Sequence, residues 1–174
     1  IVPHLLPNVP YNAATDFDYI TVGLQSPNVL VVPENSPYKT VADLIARARA
    51  KPGALTFGSA GIGNSQHLAG ELFNQMASVD TLHVPYTGTA LGLSAVMTGQ
   101  IDFYFSDPSA MPHIRSGKLR ALAMAGRPNP LLPGIPALGG EVPGFDLDNW
   151  VLHCHSLLPM RSYLLVSMLL TTPL

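Results

Sequence analysis

Three short segments hold the residues whose types and spacing suggest binding chemistry: Gly58-Ser59-Ala60-Gly61-Ile62-Gly63-Asn64-Ser65, Tyr86-Thr87-Gly88-Thr89 and Ser106-Asp107-Pro108-Ser109. All are rich in Gly, Ser or Thr, and none contains Lys or Arg. Glycine lets backbone N–H groups approach a ligand closely, and a helix beginning just after such a loop adds the positive end of its dipole. The chemistry suggested is an anion, or a neutral polar group, gripped by amides and hydroxyls without a salt bridge. Ser59, Gly61, Asn64, Ser65, His67, Tyr86, Thr87 and Asp107 are the candidate ligand-binding residues. The plainer alternative is that each segment is only a tight turn. His67, in the first turn of its helix, either faces the cleft or fills a gap under the loop. His83, in a strand beside Val84, reads as a core histidine. Asp107 either accepts a hydrogen bond from a ligand amine or hydroxyl, or caps the helix starting at Pro108.

Catalytic readings fare worse. The first loop is not a phosphate-binding P-loop, because no Gly-Lys-Ser/Thr follows. Its glycines run G-x-x-G-x-G rather than the dinucleotide order G-x-G-x-x-G. His67 stands where a nucleophile elbow needs its second glycine. Ser65, His83 and Asp107 could be assembled into a hydrolytic set, but no spacing demands it. His153, Cys154 and His155 offer metal-ligand types, yet three adjacent residues of one strand cannot all converge on an ion. No catalytic residue, cofactor or metal is expected.

These segments need elements to hold them. Val29–Val32 is a continuous apolar run, as expected of a strand buried on both faces. Thr40 with Asp43 three residues on reads as a capping box, followed by a helical stripe of Val41, Leu44, Ile45 and Ala48. Lys51-Pro52-Gly53 stops that helix. Further strands are expected at 54–58, 81–85, 101–106 and 119–125. Helices are expected from Ser65 as N-cap (carrying Leu68, Leu72, Phe73 and Met76), over 90–98 and over 108–116. Five strands alternating with four helices indicate a parallel α/β sheet with right-handed crossovers. In such a sheet ligands bind at the carboxyl ends of the strands, where all three segments fall. Five prolines between Arg127 and Gly144 argue against helix or central strand there, and Phe145 and Trp150 read as packing residues.

Composition is compatible with this picture. The 174 residues are 47% hydrophobic but only 11% charged, with 15 Gly and 17 Pro. A net charge of −2 without a basic stripe leaves no electrostatic footprint for nucleic acid. A single cysteine excludes an internal disulfide. No signal peptide is visible, and the most apolar stretch, 157–174, is broken by Pro159 and Arg161, so it does not read as a membrane span.

Several motifs, in order and spacing, resemble the Bug family. They are Ser26-Pro27-Asn28-Val29-Leu30-Val31-Val32, Lys39-Thr40-Val41-Ala42-Asp43-Leu44-Ile45, Lys51-Pro52-Gly53, the run Gly58 to Phe73, His83-Val84-Pro85-Tyr86, and Pro112 to Ala123. These are periplasmic solute-binding receptors of tripartite tricarboxylate transporters. The resemblance runs from Ile1 to about Trp150. It implies a type II periplasmic-binding-protein fold, two α/β lobes joined by two crossing strands, closing on a small carboxylate-bearing metabolite. It also implies transporter membrane subunits as partners, a periplasmic location and no enzymatic activity. The expected organisation is a connection and remnant of an incomplete first lobe at 1–27, an α/β ligand-binding lobe at 28–125, a return segment at 126–150 and an atypical tail at 151–174. From Val151 the family pattern gives way, which suggests a frame-shifted tail and a truncated chain, with self-association through the exposed lobe face. The alternatives are a carboxylate-processing, hydrolase-like module and a non-functional remnant of a degraded gene.

Overall fold

The computed structural model describes residues 9, 11–12, 14–25, 28–130, 132–147, 149–156 and 167–169. The strands are β1 (Phe17–Gln25), β2 (Val29–Pro33), β3 (Thr56–Ser59), β4 (Leu82–Pro85), β5 (Phe103–Ser106), β6 (Leu119–Met124), β7 (Asn149–Ser156) and β8 (Ser167–Leu169). The helices are α1 (Val41–Ala50), α2 (Ser65–Ala77), α3 (Thr89–Met97) and the short α4 (Met111–Arg115), which follows a 3-10 turn at Pro108–Ala110.

A five-stranded sheet in the order β4-β3-β5-β2-β6 forms the lobe. It is not wholly parallel, as the alternation of elements suggested. β3 runs parallel to β4 and β5, but β2 runs antiparallel to both β5 and β6. A strand buried on both faces reads as one apolar run whichever way it points, so its direction left no trace in the sequence. Every residue of β2 and β5 is buried. Their side chains alternate between two cores: Leu30, Val32, Phe103 and Phe105 face α1 and α2, while Val29, Val31 and Tyr104 face α3.

Local signals act as expected at α1. Thr40 Oγ1 accepts from Asp43 N (3.1 Å) and Asp43 Oδ2 accepts from Thr40 N (2.9 Å), completing the capping box. Backbone donation from Lys39, then contacts with Thr40, hold the exposed Asp43 carboxyl below the usual carboxylate range.

The proline-rich return segment does have a core to join. Leu138, Val142, Phe145 and Leu147 are buried in the α1/α2-side cluster, with Phe145 stacked on Phe105 at 6.3 Å. The segments flanking the lobe also pair with each other: β1 and β7 form an antiparallel ladder, Phe17 opposite Ser156 and Gln25 opposite Trp150. The chain thus enters the lobe at Asn28 and leaves it near Leu147 beside two paired strands. A boundary at residue 150 falls inside β7, which continues to Ser156. Of the expected first-lobe remnant, residues 1–8, 10, 13 and 26–27 lie outside the described residues, as do 157–166 and 170–174 of the expected tail. β1 leaves Tyr19, Ile20 and Val22 exposed. Among the described residues no helix is long and apolar enough to cross a membrane.

Candidate functional site: helix starts at the carboxyl edge of the sheet

β3, β4 and β5 all end at one edge of the sheet, and α2 and α3 begin there. Ser59 closes β3, and its carbonyl accepts from Tyr86 N (2.9 Å), which ties the first loop to the second. The turn that follows needs backbone most residues avoid, with φ of 133° at Gly61 and 83° at Gly63. Ser59 itself is fully buried. Its hydroxyl lies 2.7 Å from His83 Nε2, 3.0 Å from Gly61 O and 3.2 Å from Gly61 N. One hydroxyl proton satisfies all three only if Ser59 donates to Gly61 O while His83 donates from Nε2. The imidazole is then a donor to this serine, not a base for it.

α2 starts one residue earlier than expected. Asn64, not Ser65, is the N-cap, its Oδ1 accepting from His67 N at 2.9 Å. His67 fills the gap under the loop: its Nδ1 accepts from Gly63 N (3.2 Å), and its Nε2 faces Glu71 Oε1 at 3.6 Å. Its ring lies 4.1 Å from that of His83, which stacks on Phe57 at 4.9 Å, and Phe57 stacks on Phe103 at 5.7 Å. A column of rings therefore runs from the loop into the core, set by a register that places Phe57 beside both His83 and Phe103.

Burial, and secondarily His67, hold His83 down at about 4, against an ordinary 6.5. Between these values the unfolded chain binds a proton at His83 that the folded chain refuses. Stability is therefore complete above pH 6.5 and falls as the pH drops toward 4. Partial solvent contact screens the effect, leaving about 1–2 kcal/mol. Thermal unfolding should show a steeper loss across this window for the native chain than for His83→Gln, whose amide still donates to Ser59. Equal slopes would contradict the assignment.

The residue that sequence reasoning missed is Gln66. Only 3% exposed, it accepts at Oε1 from Ala60 N (2.8 Å) and Tyr104 Oη (2.8 Å), with Asn64 Nδ2 at 3.5 Å. Its Nε2 donates to Thr89 Oγ1 at 3.3 Å. The buried residues of α2 are Gln66, Ala69, Gly70, Phe73 and Ala77; of the expected stripe Phe73 is among them, while Leu72 and Met76 are only partly buried against the same cluster. A glutamine at the head of a stripe otherwise made of Ala, Gly and Phe was the available signal. Tyr104 is fully buried, and burial, then the nearby Asp107 carboxylate, push its hydroxyl pKa up.

The remaining candidates divide. Ser59, Gly61, Asn64 and His67 belong to one bonded loop, and Tyr86 joins it through its amide. Ser65 is half-buried in the first turn of α2, and Thr87 is exposed. Asp107 takes its capping role, Oδ1 accepting from Ser109 N at 2.9 Å. No hydrogen bond joins Ser65, His83 and Asp107 to one another, so the hydrolytic set is not assembled; His83 is committed to Ser59 instead. Also at this edge, Asn149 Nδ2 donates to Asn28 Oδ1 at 3.0 Å, holding together the points of entry and exit.

What remains open at the edge is backbone. Gly88, at φ 135°, is the N-cap of α3 and provides no side-chain cap, leaving the amides of Thr89, Ala90 and Leu91 without an acceptor among the described residues. The amides of Ser65 and Gln66 in the first turn of α2 likewise have no acceptor among the described residues. No Lys or Arg occurs in these loops. Two helix starts thus present unpaired N–H groups beside Ser and Thr hydroxyls, which suits a carboxylate.

The fold is similar to that of several solved proteins. One from R. palustris, solved with adipate, is 33% identical with a TM-score of 0.75, covering 83% of this chain and 49% of that one. MatC from Rhodopseudomonas palustris, with bound malate, is 27% identical with a TM-score of 0.75, covering 84% of this chain and 51% of that one. A UPF0065 protein from the tcbD-tcbE intergenic region of Pseudomonas sp. is 36% identical over 148 residues, 83% of this chain and 44% of its own length. Mixed α/β topology and a likeness to the solved periplasmic binding protein BugD (25% identical, TM-score 0.70, covering 77% of this chain and 46% of that one) define the class, a lobe of periplasmic-binding-protein type. Residues 1–153 match the model of the tripartite tricarboxylate transporter family receptor, and the chain belongs to that family. It spans about half the length of the curated relatives it matches.

Proposed function

We propose that this chain is the ligand-gripping lobe of an extracytoplasmic receptor for a small carboxylic acid, working in the periplasm with the membrane subunits of a tripartite tricarboxylate transporter. The observation that carries the reading is the pair of helix starts, α2 and α3, whose unpaired amides lie together at one sheet edge without a cationic side chain. Family relatives solved with adipate and with malate support the same ligand class. Ser65, Asn64, Tyr86 and Thr87 line the rim of this site, while Ser59, Gly61 and His67 shape the loop that presents it.

The energetics bound what this wall achieves by itself. Micromolar binding needs about 8 kcal/mol net. Three charge-assisted hydrogen bonds of about 2 kcal/mol each supply roughly 6, against an association cost of about 4 kcal/mol or more. The 174-residue chain is therefore expected to show no calorimetric heat with malate or adipate at about 1 mM, a concentration too low for so shallow a free energy. At tens of millimolar, NMR titration should shift the amides of Ser65, Gln66 and Thr89–Leu91 before others. Tight binding would overturn the energetics; shifts that avoid these amides would overturn the site.

A further inference from the structure

Gln66 bonds both the first loop and the head of α3, yet its side chain is too buried to meet a ligand. Its Oε1 takes the amide of Ala60 in the first loop and the hydroxyl of Tyr104 on β5, and its Nε2 holds Thr89 at the start of α3. Three elements far apart in sequence thus meet on one side-chain amide. Tyr104 is delivered there by missing side chains: a Cβ on Gly58 would stand 2.9 Å from Tyr104 Cδ2, and one on Gly92 would stand 2.7 Å from its hydroxyl oxygen. Glycine at both positions leaves room for this ring, so that its hydroxyl arrives at Gln66.

We propose that Gln66 is the positioning residue of the site, fixing the spacing between the α2 and α3 helix starts before any ligand arrives. The inference rests on the carboxylate reading above but concerns the empty site. With the glutamine bonds made, the first loop and the head of α3 move as one body. Without them, the two are joined by the Tyr86–Ser59 backbone bond and by the contact of the Tyr104 hydroxyl with Thr89. Glutamine suits this role because one amide both accepts and donates. Glutamate keeps the acceptor for Ala60 and Tyr104, whereas leucine keeps neither.

The test is amide hydrogen exchange on the full chain with no ligand present. In Gln66→Leu, exchange at Ala60, Tyr86 and Gly92 should rise about tenfold or more, while Ala125 and Leu147, bonded beside β2 and β6 rather than at α2 or α3, stay within about twofold. Gln66→Glu should restore Ala60 to within about threefold of the native rate. Should Gln66→Leu fail to fold, Tyr104→Phe removes the hydroxyl that bonds Gln66 and Thr89 and keeps the packing; it should raise exchange at Gly92 while Ala60 changes less. A Gln66→Leu rise confined to Ala60, or spread evenly over the whole lobe, would overturn the inference. So would a Tyr104→Phe variant indistinguishable from the native chain. A carboxylate titration that fails while exchange behaves as stated would remove the ligand reading and leave the positioning role standing.

Discussion

Replacing Gly70 by valine is expected to destabilise the lobe by about 3 kcal/mol or more, lowering the unfolding midpoint by roughly 10 °C. A Cβ at Gly70 would overlap the ring of Phe57, standing 2.6 Å from Cζ and closer still to Cε2. The ring has nowhere to go, because His83 stacks on it at 4.9 Å and Phe103 at 5.7 Å. Gly70 is the point where α2 touches β3, so the clash pushes the helix away from the sheet rather than bending a flexible side chain. Gly70→Ala should show the same effect at smaller size. A midpoint within about 3 °C of the native value for the valine variant would mean that α2 can slide, and that the ring column is not rigid.

The second large effect is expected at Phe73. It is fully buried on α2 and touches two aromatic rings of β5, Phe103 at 5.9 Å and Phe105 at 6.1 Å. Phe73→Ala should cost about 3–5 kcal/mol, the transfer of the ring plus the cavity left among stiff neighbours. Phe73→Leu should cost only about 1–1.5 kcal/mol, because most of the volume is kept. Denaturant unfolding measures both. An alanine variant as mild as the leucine one would show that the surrounding rings collapse into the gap. Since α2 begins with Asn64, Gln66 and His67, these two packing positions fix the direction in which its first-turn amides point.

Much of this was legible in the residues. Thr40 and Asp43 signalled α1 because a capping box is a local device, satisfied within four residues. The loops at 58–65 and 86–89 were legible because glycine, serine and threonine at a strand–helix junction have few other uses. Three features were hidden, for different physical reasons. The direction of β2 was hidden because burial on both faces erases the alternation that would orient it. The buried face of α2 was misread because the close approach of helix to sheet at Gly70 and Ala69 requires small residues, while hydrophobicity favours the large Leu68 and Leu72 on its less buried sides. The β1–β7 pairing joins residues more than a hundred positions apart, and no local pattern at either segment announces the other.

The site shows the same division. Asn64 and Asp107 were recognisable as polar residues beside helix starts, but which of several roles each takes depends on a single bond distance. Ser59 looked like a ligand contact and is instead buried, bonded to His83 and to its own turn. Gln66 went unread because a polar residue on a helix gives no sign of being buried until the partners that satisfy it, Ala60, Thr89 and Tyr104, are brought to it by the fold. The backbone amides that remain open are invisible in any sequence, since every residue but proline carries one.

The central claim is that an acid group is held by main-chain N–H groups at the heads of α2 and α3. It is tested most directly by titrating the chain with adipate and following each amide. The largest displacements should fall together at Ser65, Gln66 and Thr89 to Leu91, following one isotherm in the range of tens of millimolar and weakening little with added salt, because no lysine or arginine is involved. Displacements centred on a basic side chain elsewhere, such as Arg120 or Lys118 at the opposite edge of the sheet, would contradict it.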